Sequence, residues 1–308
     1  MKNGDGGLSL SLRGDSFDAR PLIKQMFSTR RRGGDPPAGQ SAAPVSVSLN
    51  VDRVYAYRGE VLSGVSGTLQ TSGGHVQSAE ISGTFLSGQP MVFRVTPVKN
   101  GREMRINGRD GGAAIRAANL YSKVAGGRIE LYALLDDSGS SVRDGRLILR
   151  NFQIRNEATL AQLDTRGRPK KSGPRSDALT FNKMTMPFTT DAKFIRIGES
   201  LVQGNELGAT AQGVIRKTDG AFDIKGTIIP AYAANAAIGG IPIVGDILTG
   251  GGGEGIFGVT YALGGSMDKP IFQVNPVSAI APGIFRKLFE YHDGSPNQQT
   301  RTRGNSLR

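Results

Sequence analysis

Apolar and polar residues alternate with a period of two along most of this chain. The alternation is clear from Val45 to Val51, and it returns from Ile129 to Leu135 and from Phe222 to Ile228. A strand with this pattern buries one face and leaves the other in water, which is typical of antiparallel sheets. About a dozen such segments follow one another, separated by glycine-containing turns. We therefore predict a mainly β fold, a curved antiparallel sheet that forms a groove, with a few short helices.

Strand patterns cover much of residues 45–155 and 179–274. Short helices are predicted near residues 19–27, 113–124, 233–249 and 278–290. Asp18 is suited to cap the first of them, because its carboxylate can accept a hydrogen bond from an N–H group of the first turn. The third helix is expected to be interrupted at Gly239, Gly240 and Pro242.

A five-residue pattern with a central glycine occurs three times, at residues 65–69, 81–85 and 224–228. Glycine inside a strand marks a bulge, a bend or a close approach of two backbones. The recurrence predicts stacked β units in a curved sheet. The alternative is a chance recurrence in a chain that has 44 glycines among 308 residues.

Polar stretches divide the chain into segments. Residues 1–27 are predicted to form a strand and a short helix, 28–44 a flexible linker, 45–163 a β-sheet segment with short helices, 164–178 a basic loop, 179–290 a second β segment with an apolar helical stretch, and 291–308 a disordered tail. The linker, the basic loop and the tail are poor in large apolar residues, so none of them is expected to contribute to a core.

The charge and the residue types limit the function. The net charge of +12 and the pI near 10.1 indicate an anionic partner, either nucleic acid or a lipid surface. The chain has no Cys, which excludes disulfides, thiolate nucleophiles, zinc–thiolate sites and iron–sulfur clusters. His75 and His292 are the only imidazoles and lie far apart in sequence. No catalytic residue, metal site or cofactor can be nominated, so the chain is predicted not to be an enzyme.

Two short strings resemble known binding motifs. Gly253 to Gly258 matches G-x-G-x-x-G, but a strand pattern follows it where a dinucleotide site needs a helix, so we interpret it as a loop. Arg166 to Lys171 resembles the core of an AT-hook, in which arginines enter a narrow A·T minor groove. The competing interpretation of this string is a solvated loop between strands.

The last hundred residues carry a more specific resemblance. It rests on the order and spacing of KGTIIPAYAAN from Lys225, GIPIVG from Gly240, LTGGGGEGIF from Leu248, DKP from Asp268, VNPVS from Val274 and APGIFRKLF from Ala281. Upstream, residues 14–23, 119–121 and 126–131 contribute. The chain resembles the C-terminal region of large AsmA-like (YhdP-type) envelope proteins of Gram-negative bacteria.

The resemblance implies a periplasmic β-sheet curled into a hydrophobic groove, in a longer chain that is anchored in the inner membrane. It also implies a role in phospholipid transport and outer-membrane maintenance. Residues 1–27 would continue an upstream β body, and 179–290 would be the AsmA-like C-terminal segment. Since no anchor or signal peptide follows Met1, this chain is expected to be a C-terminal piece or to have its start assigned too late.

The proposed contact residues lie in two apolar segments. Lipid or membrane contact is predicted for Ile238, Ile241, Ile243, Val244, Ile247, Leu248, Ile284, Phe285, Leu288 and Phe289, and headgroup contact for Arg286 and Lys287. The glycines and the proline prevent one straight helix, so the uncharged stretch must fold back or lie on a surface. The alternative is that both segments simply cap the sheet and close its hydrophobic edge.

The sequence thus favours a non-enzymatic lipid-binding or lipid-conducting segment, whose partners are phospholipid or a membrane surface and other envelope proteins. The alternative is a nucleic-acid-binding protein that acts through residues 166–175 and Arg30 to Arg32. The two differ in their response to salt. DNA binding weakens steeply as salt rises, whereas capture of acyl chains by apolar residues persists.

Overall fold

The computed structural model describes residues 7–26, 43–73, 75–136, 141–155, 178–205, 207–230, 259–266 and 269–275. They form one large, curved and open β-sheet with two short helices, so the predicted fold class is confirmed. Among these residues, no helix is long and apolar enough to cross a bilayer.

The strands follow the alternating segments of the sequence. They are β1 Leu8–Asp18, β2 Val45–Tyr55, β3 Val61–Ser72, β4 His75–Phe85, β5 Pro90–Val98, β6 Gly101–Gly108, β7 Val124–Ala125, β8 Arg128–Leu135, β9 Val142–Arg155, β10 Ala178–Thr190, β11 Phe194–Gly204, β12 Leu207–Arg216, β13 Ala221–Pro230, β14 Val259–Ser266 and β15 Lys269–Asn275. The helices are α1 Arg20–Met26 and α2 Gly111–Ala117, and a 3₁₀ turn spans Tyr57–Gly59.

From β2 onward the sheet is an antiparallel meander, in which each strand except the short β7 pairs with the next one in the sheet along the chain. The strand order runs from β1 to β6 and then from β8 to β15. The short β7 is not part of this order and pairs only with β9. All pairs are antiparallel except β1 and β2, which are parallel. β9 and β10 pair from Arg155 opposite Ala178 to Gly145 opposite Phe188, so the two predicted β segments belong to one sheet.

The first helix agrees with its prediction. Asp18 Oδ1 accepts a hydrogen bond from the backbone N–H of Arg20 at 2.9 Å, so it engages the start of α1 as expected. The second prediction, 113–124, is wrong at both ends. The helix begins at Gly111 because Asp110 caps it, and it ends near Asn119, whose φ of 56° is left-handed. The helices predicted near 233–249 and 278–290 lie outside the described residues.

The repeated glycines mark close packing inside strands, as their pattern predicts. A Cβ built on Gly67 would lie 2.0 Å from the carbonyl oxygen of Glu80, and one on Gly226 would lie 1.9 Å from that of Thr210. A Cβ on Gly83 would contact the Val65 side chain at 2.9 Å. No larger residue fits at these positions without moving the neighbouring strand or side chain.

The main core lies on one face of the sheet, near the end of the strands where α2 packs. Its buried members are Ile115, Val124, Ile129, Leu149, Phe152, Leu179, Phe181, Leu207 and Ile228. Phe152 and Phe181 stack with their ring centroids 5.2 Å apart. A second cluster, Ala56, Phe85, Ala113 and Ala117, joins α2 to the ends of β2 and β4.

The ladder between β10 and β11 is irregular around Pro187. Two residues of β10 separate Thr185 from Phe188, but three residues of β11 separate their partners Leu201 and Ile197. Proline has no N–H for the ladder and is tolerated in a sheet at such a bulge. A shallow depression opens here, and its lining includes Phe188 and Ile197.

Candidate functional site

Strand register gathers the apolar residues on one face of the sheet, which we call the apolar face. A row of paired residues crosses six strands of this face from β4 to β10. We call it the central row: Ile81, Phe93, Ile106, Leu131, Leu147 and Met186. The order of strands thus converts an alternation within each segment into a continuous apolar band perpendicular to the strands.

The central row is only half covered by protein. All six of its side chains are half-buried. The next row toward α2, which runs from Met91 through Gly108, Ile129 and Leu149 to Met184, is more deeply covered, and Leu149 is fully buried. The described residues therefore fill the helix end of the apolar face and leave the middle accessible.

Helix α2 closes one end of the apolar face. Ile115 packs into the main core, and Ala113 and Ala117 pack beside Phe85. The helix lies very close to the sheet, because a Cβ on Gly111 would come within 2.2 Å of the Leu149 side chain. The helix lies in the connection between β6 and β8, where a simple turn would otherwise suffice, and it covers the ends of these strands.

The cap of α2 leads to a testable prediction. Asp110 Oδ1 accepts a hydrogen bond from the Ala113 N–H at 2.9 Å, and this contact is buried. We expect Asp110→Ala to cost about 1 kcal/mol and lower the thermal midpoint by roughly 2–4 °C. Asp110→Asn retains a capping oxygen and is expected to stay near the wild type. Equal midpoints for the alanine and asparagine variants would contradict this role.

The opposite face of the same strands is polar and charged. Directly behind the central row lie Glu80, Arg94, Arg105, Tyr132 and Arg146, one residue away in each strand. Arg94 forms an ion pair with Glu80, and the Arg105 guanidinium lies 5.7 Å from the centroid of the Tyr132 ring. These contacts are exposed, as expected for a water-facing surface.

The apolar face extends beyond the central row toward both edges of the sheet. At one edge, Leu8, Leu10 and Leu12 of β1 continue the face through their pairing with β2, and all three are exposed. Toward the other edge, Ile224 and Ile228 of β13 lie on it, paired with β14. The apolar band therefore spans most of the described sheet.

A buried arginine lies on the apolar face near the end opposite α2. Arg102 of β6 is only 3% exposed. Its guanidinium donates to the carbonyl oxygen of Val76 at 2.8 Å and to that of Asp136 at 3.0 Å. These bonds connect β4, β6 and the end of β8, and they satisfy a charge that would be costly to bury alone. Arg102 thus forms a polar boundary to the apolar band.

The three largest pKa shifts belong to structural contacts away from the central row. The hydrogen bonds from Arg20 lower the pKa of Asp18 to about 2, and those from Arg216 lower the pKa of Asp219 to about 2. Burial raises the pKa of Tyr261 to about 12, and its hydroxyl donates to the Thr210 carbonyl at 2.9 Å. Within the described ranges, no three His, Asp or Glu residues come together as a metal site requires.

The residues that sequence reasoning selected for lipid and headgroup contact lie outside the described residues, within 231–258 and 276–308. The glycine-rich string 253–258 and the AT-hook-like string also lie outside them. His75, which the two preceding glycines predict to be a turn residue, is instead the first residue of β4. The sequence motifs do not point to the central row as a site of lipid contact. The alternation in each segment is the signal that could have identified its residues.

No family model matches the chain, and no curated protein or solved structure matches it either. The resemblance to AsmA-like envelope proteins therefore stays a prediction that rests on the quoted sequence motifs.

Proposed function

We propose that this chain is a non-enzymatic lipid-binding segment of the AsmA-like type, which shields phospholipid acyl chains along its apolar face. In this proposal it acts in the cell envelope, on the periplasmic side of the inner membrane, as part of a longer anchored chain. The observation that carries the proposal is the central row: six half-buried apolar side chains in register across six neighbouring strands.

The dimensions of the row suit an acyl chain. Strands are about 4.8 Å apart, so five steps between six strands give a band roughly 24 Å long. One leaflet of a bilayer has a hydrocarbon thickness of about 15 Å, half that of the whole core. An acyl chain laid across the strands would therefore contact several members of the row and remove their exposed surface from water.

The chemistry of the two faces supports the same proposal. Acyl chains offer no hydrogen bonds, so a site for them needs continuous apolar surface and no nucleophile, base or metal. The central row provides such a surface, and the charged row behind it keeps the other face of the strands in water. A contiguous row of partly accessible apolar side chains on a folded chain is typical of an interaction surface.

Native mass spectrometry of the protein, purified without detergent after mixing with phosphatidylethanolamine and phosphatidylglycerol vesicles, tests the proposal. We expect complexes with the mass of bound phospholipid that persist from low to high salt. Tight DNA binding that weakens steeply with salt, without bound lipid, would instead support the nucleic-acid alternative. A lipid-free dimer would assign the apolar face to a second copy of the chain and overturn the proposal.

A further inference from the structure

Exposed apolar side chains gather at the end of the sheet where α1 and α2 lie, which we call the helix end. They are Leu22, Tyr55, Leu86 and Tyr121. They come from four separate parts of the chain: α1, the last residue of β2, the turn between β4 and β5, and the segment after α2. Leu86 is the most prominent, with 71% of its surface exposed at the tip of its turn.

Three of these four residues adjoin one small buried cluster. Leu22 adjoins Ile23, Tyr55 adjoins Ala56, and Leu86 adjoins Phe85; Ala56 and Phe85 are buried in the cluster, and Ile23 packs against it. Tyr121 follows α2, whose Ala113 and Ala117 are buried in the same cluster. Leu22, Tyr55 and Leu86 are therefore each next to a packed residue, and Tyr121 follows a packed helix.

The strands that lead to these side chains all end at the helix end of the sheet. β1 is parallel to β2, and β4 runs in the direction of β2 because two antiparallel pairings separate them. Their last residues therefore lie side by side at one end of the strands. The exposed side chains consequently form a rim at the ends of these strands. They are separate from the central row, which crosses the strands at mid-length.

Positive charge accompanies this rim. Lys24, Arg58 and Arg109 are exposed there. The nearby carboxylates are engaged: Asp18 pairs with Arg20 at 2.7 Å, Glu60 pairs with Arg116 at 2.7 Å, and Asp110 caps α2. The rim thus combines leucine, tyrosine and cationic side chains.

The opposite end of the sheet also exposes apolar residues, among them Leu8, Val98 and Ile271, but its turns are charged. Its turns carry ion pairs between neighbouring residues, such as Arg196 with Asp191 and Arg216 with Asp219, each at 2.7 Å. An exposed apolar residue there, Val98, lies at the turn between β5 and β6. This end therefore supplies a matched control for the helix end.

We propose that the helix end docks on the surface of a phospholipid bilayer that contains anionic lipid. Leu22 and Leu86 enter the boundary between headgroups and acyl chains, and Tyr55 and Tyr121 lie at headgroup level, where amphipathic rings are favoured. The exposed cations meet the negative surface potential of the membrane. The exposed side chains stand on separate elements of the helix end. Such a dispersed set suits a deformable lipid surface better than a rigid protein partner. This proposal goes beyond acyl-chain binding, because docking can hold whether or not the central row binds lipid.

Tryptophan fluorescence provides the direct test, since the chain has no Trp of its own. Leu86→Trp should shift its emission to shorter wavelength when vesicles of phosphatidylethanolamine and phosphatidylglycerol are added, because the indole leaves water. Val98→Trp should show no shift with the same vesicles. Both substitutions are at exposed positions, so both variants are expected to fold. No shift at Leu86→Trp, or equal shifts at both sites, would overturn the proposal.

Vesicle flotation of charged variants gives a second measurement. Leu22→Asp combined with Leu86→Asp should reduce binding at least about tenfold, because each leucine loses its transfer free energy. Val98→Asp should bind like the wild type. Retained binding of the double variant, or equal loss in Val98→Asp, would contradict docking at the helix end. The same double variant should bind phospholipid labelled on an acyl chain as the wild type does, so failure of docking and failure of acyl-chain binding can be distinguished.

Discussion

Gly226→Ala is expected to destabilise the protein by about 3 kcal/mol or more, lowering the thermal midpoint by roughly 6–12 °C. The added methyl group would lie 1.9 Å from the carbonyl oxygen of Thr210 and 2.8 Å from the Tyr261 ring. That carbonyl already accepts the Tyr261 hydroxyl, and the Thr210 hydroxyl accepts the Thr227 N–H at 3.1 Å. The backbone must therefore separate at a point where several hydrogen bonds converge.

Gly14→Ala serves as the control for this prediction. Gly14 lies in β1, and a Cβ built there has no atom within 4 Å. The change is expected to alter stability by no more than about 0.5 kcal/mol. Circular dichroism of thermal unfolding compares the two variants. A midpoint for Gly226→Ala within about 2 °C of the wild type would show that the close approach at β12 and β13 is not maintained.

Ile106→Asp is expected to reduce phospholipid binding by a factor of about 100 or more. A charge in the middle of the central row would have to be desolvated by any acyl chain that covers it, at a cost of several kcal/mol. Fluorescence of phosphatidylethanolamine labelled on an acyl chain measures the change in binding. Because Ile106 is half-buried, thermal unfolding of the same sample checks that the variant is folded at the assay temperature.

Asn107→Asp is the matched control for Ile106→Asp. It introduces the same carboxylate one residue along β6, where the side chain is exposed on the polar face. Labelled lipid should bind this variant as it binds the wild type. Loss of binding in both variants would indicate a general effect of charge, and unchanged binding in Ile106→Asp would remove the central row from the site.

Much of the fold could be predicted because the responsible signals are local. Alternation from Ile129 to Leu135 specifies a strand with one apolar face, and β8 covers that segment. Asp18 lies where a capping residue is needed, and it engages α1. The parallel pairing of β1 with β2 could not be predicted, since it depends on where the chain between them returns to the sheet.

The site was harder to predict than the fold. The apolar stretch of residues 231–248, in which Asp246 is the only charged residue, is conspicuous in sequence, and its isoleucines are the obvious candidates. The central row is not conspicuous, because Ile81 and Met186 lie more than a hundred positions apart and become members of one band only through register. Exposed tips such as Leu86 carry no pattern at all, since exposure depends on how the turn projects from the packed cluster.

Photo-crosslinking from neighbouring positions of one strand tests the central claim most directly. Benzoylphenylalanine placed at Phe93 faces the apolar band, and the same group at Arg94 faces the polar side. After irradiation with phosphatidylethanolamine and phosphatidylglycerol vesicles, mass spectrometry should find lipid adducts at position 93 and few at position 94. Equal yields at the two positions, or adducts at position 94 alone, would contradict the claim that acyl chains lie on the apolar face.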